Sequence, residues 1–328
     1  MITDTAPINH TTCYALPFDT VIHGNFLNNN LPDKCANLII ADPPYFEVKG
    51  DFDFIWNSFD DYLKDVEKWA IECKRLLADN GTLFWYGHAK NIAYAQVIFD
   101  KHFNLINNLV WDKGSFMGLE ESEELRSFAP CTERILMYSV GDDYHDNVRL
   151  SIKYIQDYLN TITNRNELAE ILLKIGNCRN IESAKQNANN ILSQRSAKPQ
   201  MITEFQYNLL PNPNKKEYKT LREEYETLRR PFTNHFKLQE IFRFSNEAVK
   251  TGAKYDHDTV KPETLTRALI LTCSRVNDLV LVPFAGSGTE CAMAVKEGRK
   301  AIGFDIENKY VEMSNKRIKT FKDAPSLF

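Results

Sequence analysis

Short apolar runs bounded by turn residues alternate with stretches of helical periodicity at both ends of the chain. Val21-Ile22 and Leu38-Ile39-Ile40-Ala41 read as buried strands. Ser58 with Asp61 predicts a helix start, and Leu63, Val66, Ala70, Cys73 and Leu77 then recur at helical spacing. Asp79-Asn80-Gly81 is expected to stop that helix before a strand over 82–86. A helix over about 91–101 and strands over 108–111 and 134–139 continue the alternation. Past residue 260 the texture repeats. Pro262 suits a first helical turn followed by Leu265, Leu269 and Thr272; the run Leu279-Val280-Leu281-Val282-Pro283-Phe284 predicts a buried strand. A helix over about 289–297, a strand over 300–304 and a helix over 308–319 complete the pattern. Strands separated by such helices predict βαβ units and a doubly wound α/β fold.

The middle of the chain departs from this rhythm. Leu168, Ile171, Leu172 and Ile175 form one amphipathic stripe, and Ile181, Ala184, Ala188 and Ile191 form the next. Gly176-Asn177-Cys178-Arg179-Asn180 between them has the size of a helix-turn-helix turn, though a plain helical bundle fits equally well. A charged helix from about 215 to 230 is stopped by Pro231. The expected organisation is therefore 1–150, a helical insert 151–250, and 251–328.

Composition then bounds the function. The 328 residues carry a formal net charge of −4 and 43% apolar residues, as in an ordinary globular protein. The mild acidity argues against nucleic acid until it is divided along the chain: residues 151–250 carry an excess of five positive charges, the remainder an excess of nine negative ones. Seven scattered cysteines without a C-x-x-C pair predict reduced thiols and no metal site. No apolar run approaches the ~20 residues that span a bilayer, and no signal peptide is legible, so a cytoplasmic protein without a membrane partner is expected.

Two motifs carry chemistry. Phe284-Ala285-Gly286-Ser287-Gly288-Thr289 follows one strand and opens a helix, where glycines permit close backbone approach and the helix end offers unpaired N–H groups. Asp305 ends the next strand, where an acid can grip ribose hydroxyls. No lysine follows the turn, so it is not a phosphate-cradling P-loop, and Cys291 replaces the third glycine of a dinucleotide fingerprint. The second motif, Asp42-Pro43-Pro44-Tyr45, ends the strand at 38–41. Its prolines restrict the turn so that it presents carbonyl oxygens beside a carboxylate and an aromatic ring, a set suited to a planar base with an exocyclic amine.

Together these motifs resemble the S-adenosylmethionine-dependent DNA amino-methyltransferases. The order, catalytic motif before cofactor motif, resembles their circularly permuted β group. His257-Asp258-Thr259-Val260-Lys261-Pro262, Gly303-Phe304-Asp305, Val110-Trp111-Asp112-Lys113 and Thr132-Glu133-Arg134-Ile135-Leu136 resemble further stretches of that group. The resemblance implies a Rossmann-like, mostly parallel sheet in permuted order and methyl transfer to N6 of a flipped-out adenine in double-stranded DNA. It implies catalytic roles for Asp42, Pro43, Pro44 and Tyr45. Cofactor contacts are implied for Asn25, Thr259, Lys261, Phe284, Gly286, Ser287, Gly288, Thr289 and Asp305. Gly24-Asn25 stands where the family often reads Gly-Asp; the asparagine offers both a donor and an acceptor to adenine. Tyr45 is expected to stack on the target base through its ring alone, with its hydroxyl dispensable.

The insert occupies the place of the family's target-recognition region. Lys113, Lys174, Arg179, Lys185, Arg195, Lys198, Lys215 and Lys216 are the candidate DNA contacts. The resemblance leaves open a homodimer, a cognate restriction enzyme as partner, and a prokaryotic or phage origin. Three alternatives stand beside it: an N4-cytosine methyltransferase, a nicotinamide-dependent oxidoreductase using the glycine turn, and a non-catalytic DNA-binding regulator on the same fold. Asp42, where the cytosine enzymes usually carry serine, favours adenine.

Overall fold

The computed structural model describes residues 16–48, 53–114, 128, 131–140, 153–193, 196, 200–244 and 260–322. Eight strands among them form one sheet: β1 (Thr20–His23), β2 (Ala36–Ala41), β3 (Leu77–Gly87), β4 (Asn104–Asp112), β5 (Thr132–Ser139), β6 (Ile241–Arg243), β7 (Leu279–Val282) and β8 (Lys300–Asp305). Their spatial order is β1-β8-β7-β2-β3-β5-β4-β6. Only β5 runs against its neighbours, β3 and β4; every other pairing is parallel.

The continuous apolar runs arise because both faces of the sheet are covered. Successive side chains point to opposite faces, so Ile39 and Ala41 of β2 join one core with Leu83 and Trp85, while Leu38 and Ile40 join the other with Phe84 and Tyr86. The first face is closed by α1 (Phe59–Leu76) and α2 (Ile92–Phe99). The second is closed by three later helices, Glu263–Cys273, Thr289–Lys296 and Asn308–Lys322. This is the doubly wound arrangement the alternation predicts.

Some boundaries differ. Asp79-Asn80-Gly81 does not stop α1: the helix ends at Leu76 and β3 begins at once, with buried Leu77 paired to Ala36. The pairing shifts register before Thr82 meets Leu38, so the polar triplet lies in an irregular strand start. Burial of Leu77 overrides the local turn signal. Strand β4 starts at Asn104, four residues ahead of the expected 108, because its half-exposed first stretch lacks an apolar run.

The chain divides into two compact units, 1–142 with 230–328, and 143–229. The expected insert of 151–250 is therefore too long at its C-terminal end. Residues 241–243 return to the sheet, where β6 pairs with β4, and Arg230 donates to Thr82 Oγ1 at 3.2 Å. A three-residue edge strand in polar sequence has too little periodicity to be legible. The second unit holds α3 (Lys153–Ile162), α4 (Arg165–Lys174), α5 (Ile181–Leu192), α6 (Glu204–Asn208) and α7 (Tyr218–Leu228), which leaves α8, α9 and α10 for the three later helices of the sheet unit. Asn164 and Asn180 cap α4 and α5, and Gly176 turns the chain between them at φ +76°. Leu159, Leu168, Leu172, Ala184, Ala188 and Leu221 form a core of its own; Ile181, expected in the stripe, is exposed at the helix start.

A separate core makes a local prediction. Leu168→Ala removes a fully buried side chain and should destabilise the helical unit by about 2–5 kcal/mol. Hydrogen exchange should accelerate over 153–229 and stay unchanged in β2, β3 and β7.

Candidate active site

Strands β2 and β7 are neighbours, with Ile39 opposite Leu281. Both therefore release their chains at the same sheet edge, which sets Asp42 beside the glycine turn that follows Pro283. This is the edge at which open α/β sheets bind ligands. Strand β8, paired to β7, delivers Asp305 there, and β1, paired to β8, delivers Gly24.

The Asp42 carboxylate is held from two sides. The Tyr45 hydroxyl donates to its Oδ1, and the Lys261 ammonium lies 2.8 Å from its Oδ2. Lys261 is 5% exposed, sits 3.1 Å from Glu133 Oε2 and stands over the Tyr45 and Tyr86 rings at 5.6 and 5.1 Å. The Lys113 ammonium binds the other Glu133 oxygen. Two carboxylates and two ammonium groups thus alternate as Asp42, Lys261, Glu133, Lys113. Burial disfavours the Lys261 charge, but Asp42 and Glu133 outweigh it and raise the affinity for its proton. Burial likewise pushes Glu133 up, yet Lys261 and Lys113 hold it down to about 2. The Tyr45 phenol is pushed well above its ordinary range by burial and by Asp42, so its proton stays on and donates.

The turn after Tyr45 is strained. Phe46 and Glu47 both have positive φ, 56° and 50°, a conformation that costs non-glycine residues energy. Buried Asp53 accepts from the Tyr45 N–H at 2.6 Å, and the Asn91 side chain donates to the carbonyls of Tyr45 and Phe46 at 2.6 and 3.1 Å. These bonds fix the loop that carries the motif.

On the glycine side, Gly288 has φ +71°, and a Cβ there would stand 2.6 Å from Ser314 Cβ, so only glycine fits. The Gly286 N–H donates to Asp305 Oδ2 at 2.8 Å and the Glu307 N–H to Oδ1 at 2.9 Å. Each oxygen of Asp305 keeps a lone pair for a hydroxyl. Arg317 grips the turn from behind through Thr289 Oγ1 at 2.7 Å and the Ser287 carbonyl at 3.2 Å. Phe284 packs edge-on against Trp69 at 5.0 Å. Gly24, bonded through its N–H to the Asp305 carbonyl, faces open space: a Cβ on it would meet no atom within 4 Å. An acid with free lone pairs, a glycine turn and an open face beside them fit a nucleoside-bearing cofactor.

The structure thus joins Asp42, Pro43, Pro44, Tyr45, Phe284, Gly286, Ser287, Gly288, Thr289 and Asp305 at one edge. Asn25 follows β1 at that edge, exposed, but its Oδ1 is used to cap the next turn at Leu27 N–H, 2.9 Å. Three expectations are corrected. Lys261, expected against the cofactor, bridges Asp42 and Glu133. Lys113, expected on DNA phosphate, is drawn to Glu133 because that buried carboxylate needs a partner. The Tyr45 hydroxyl, expected to be dispensable, is bonded to Asp42.

In the helical unit, Lys185 pairs with Glu182 at 3.3 Å and Lys216 with Glu224 at 2.7 Å. Lys215 donates to the Asn208 carbonyl at 2.9 Å. Lys174 and Arg179 are exposed on either side of the Gly176 turn. Thr259, Arg195 and Lys198 lie outside the described residues. Sequence reasoning passed over Glu133, Asp53, Asn91, Tyr86 and Glu290. A charged residue opening an apolar strand or standing in an apolar helix was a signal for Glu133 and Glu290; Asp53 and Asn91 had none.

A doubly wound sheet carrying an oriented carboxylate next to a nucleoside-type glycine turn defines a group-transfer enzyme acting on an amine. Residues 36–316 match the DNA methylase family, and the chain belongs to it. Among curated relatives, the DNA adenine methyltransferase YhdJ of Escherichia coli (strain K12) is 24% identical over 306 residues, covering 91% of this chain and 82% of that protein. The type II methyltransferase M.HinfI of Haemophilus influenzae is 24% identical over 327 residues, covering 94% and 70%. The solved structure of a DNA modification methylase from Thermus thermophilus, TTHA0409, shares the fold, with a TM-score of 0.51 and 17% identity over 93% of this chain and 96% of that one. Among the described residues no helix is long and apolar enough to cross a membrane.

The depressed Glu133 has a consequence for stability. Its folded value, about 2, lies below the unfolded ~4.3. Its contribution is therefore complete above pH ~4.3 and lost as the pH falls toward 2. Urea unfolding of wild type and Glu133→Gln across pH 6 to 2.5 should show an acid-induced loss in the wild type that is smaller in the variant. Parallel curves would contradict the assignment.

Proposed function

We propose that this DNA methylase transfers a methyl group to N6 of an adenine in double-stranded DNA, with S-adenosylmethionine as cofactor. The observation that carries the reading is the Asp42 carboxylate, oriented by Tyr45 and Lys261 beside the glycine turn. When bound, the cofactor supplies an electrophilic methyl group. Asp305 would take the ribose hydroxyls, the turn at 286–289 the amino-acid end, and the Asn25 side-chain amide the adenine edge.

The exocyclic amine of adenine is a poor nucleophile, because its lone pair is delocalised into the ring. Asp42 and the Pro43 carbonyl each accept one N–H and draw the nitrogen toward tetrahedral geometry, which frees the lone pair for attack. Orientation and fixed charge thus lower the barrier, with no covalent bond to the protein. Tyr45 steers Asp42 through its hydroxyl and offers its ring to the base, which leaves the duplex to be reached. An aspartate at position 42 and relatives such as YhdJ support adenine over cytosine. In the helical unit, Lys174 and Arg179 are the candidates with the freest side chains for phosphate contact. A cytoplasmic setting accords with these bacterial relatives; a homodimer and a cognate restriction enzyme are partners to be sought.

Incubation with unmethylated DNA and cofactor, followed by mass spectrometry of nucleosides, should yield N6-methyladenine; N4-methylcytosine would replace the reading with its rival. Asp42→Ala should abolish transfer while cofactor binding survives, and more than a tenth of wild-type turnover would remove the role given to Asp42.

Tyr45→Phe should lower kcat by roughly ten-fold, the worth of one hydrogen bond to a charged group, with the KM for DNA little changed. Tyr45→Ala should lose more, since the ring goes as well. Equal turnover of wild type and Tyr45→Phe would show that the hydroxyl has no part in steering Asp42.

A further inference from the structure

Two buried polar atoms at the catalytic edge have no hydrogen-bond partner among the described residues: Oε1 of Glu290 and the hydroxyl of Tyr86. Glu290 is 5% exposed and lies in the first turn of α9, directly after the glycine turn. Tyr86 lies on β3, next to β2. Of the charged groups acting on the Tyr86 phenol, Glu290 is the strongest and Asp42 the next; of those acting on Glu290, Asp42 is the strongest. Strand β3, the end of β2 and the start of α9 therefore converge their acidic groups on one buried space.

The cations near Glu290 are bonded elsewhere. Lys261 lies against Asp42 and Glu133, and Arg317 reaches Glu263 at 2.7 Å as well as Thr289 and Ser287. Cys291 is the remaining titratable neighbour, its thiol raised by burial and then by Glu290. In these surroundings burial and Asp42 push the Glu290 carboxyl up to about 7, against a weaker opposing pull from its own backbone N–H, Lys261 and Arg317. A carboxylic acid that is half neutral at pH 7 is thus stored between the two motifs.

We propose that Glu290 is the counter-charge for the sulfonium of the cofactor, neutral in the free protein and ionised when that cation binds beside Asp42. This rests on the S-adenosylmethionine reading above. The alternation of Asp42, Lys261, Glu133 and Lys113 is already balanced, so an ionised Glu290 adds an uncompensated negative charge until a cation arrives. On transfer the carbon–nitrogen bond forms as the carbon–sulfur bond breaks, leaving a neutral thioether and one surplus proton on the amine. Asp42 accepts that proton's hydrogen bond, and Glu290, having lost its cation, takes up the proton. The buried edge then carries the same charge before and after reaction.

Proton release on binding tests this without turnover. Calorimetric titration in buffers of different ionisation enthalpy counts the protons exchanged. At pH 6.5 S-adenosylmethionine should release more than half a proton from the wild type. S-adenosylhomocysteine, which keeps the nucleoside and amino-acid parts but lacks the positive sulfur, should release none. Glu290→Gln should release none with either ligand and lose roughly ten-fold of its preference for the cation, the worth of one unit of pKa coupling. Equal release with both ligands in the wild type overturns the proposal, as does release that persists in Glu290→Gln. The wild-type comparison decides even where the variant does not fold. If neither ligand binds, the cofactor reading itself falls, and this inference with it.

Discussion

A single buried ammonium ties the catalytic edge together. Lys261 reaches back from the start of the last α/β segment to touch Asp42 at the end of β2 and Glu133 at the start of β5. Taking three charges out of water is expensive, and their attraction offsets that cost only where the geometry is good and the remaining charge has a partner. Lys113 supplies that partner at the far side of Glu133. Truncating Lys261 would leave two carboxylates buried without their common cation, a penalty in the range of about 3–5 kcal/mol for such pairs. The network therefore locks one arrangement of β2, β5 and the approach to α8, and it settles the orientation of Asp42 before any substrate arrives.

That arrangement is possible because strand adjacency, not chain order, decides which loops meet. Strand β2 lies between β7 and β3, so the end of an early strand and the end of a late one open side by side. Reordering the motifs along the chain leaves the edge unchanged as long as the central pairing of β2 with β7 is kept. The covered faces on either side make that pairing robust: Leu38 and Ile40 on one face, Ile39 and Ala41 on the other, are all essentially inaccessible. A shift of register by one residue would exchange the two faces of a strand whose side chains are already fitted to both.

Much of this was legible in the residues. Uninterrupted apolar runs marked β2 and β7, and the turns behind them marked the ligand edge, because burial on both faces and glycine geometry leave strong local traces. The weak points were of another kind. Leu77 follows a helical pattern and yet starts a strand, since tertiary burial outweighed the turn signal of residues 79–81. Residues 241–243 form an edge strand too short to show a period, so the helical block reads on to residue 250. In the site, Asp42 and Gly288 announced themselves through backbone constraints peculiar to proline and glycine. Glu133, Asp53 and Asn91 gain their meaning only from what the fold brings beside them, and no spacing along the chain encodes that. Lys113 shows the same limit in reverse: a basic residue suits a phosphate on paper, but a buried carboxylate within reach is the stronger claimant.

The division of labour among the acids follows from their surroundings. Asp42 is held by an ammonium and by a phenol that keeps its proton, which suits a group whose task is to receive an amine in a fixed direction. Asp305 has backbone N–H donors on both oxygens and a more open face, which suits a neutral hydroxyl. Glu290 has one buried oxygen with no donor among the described residues, so its charge is the one left free to respond. A site that binds a cation and later holds a neutral product needs one group able to change charge at neutral pH without disturbing the others. Glu133 cannot be that group, because Lys261 and Lys113 hold it far down. Burial with an oxygen left unbonded gives Glu290 that freedom, and its place between the glycine turn and Asp42 puts the change of charge where the chemistry requires it.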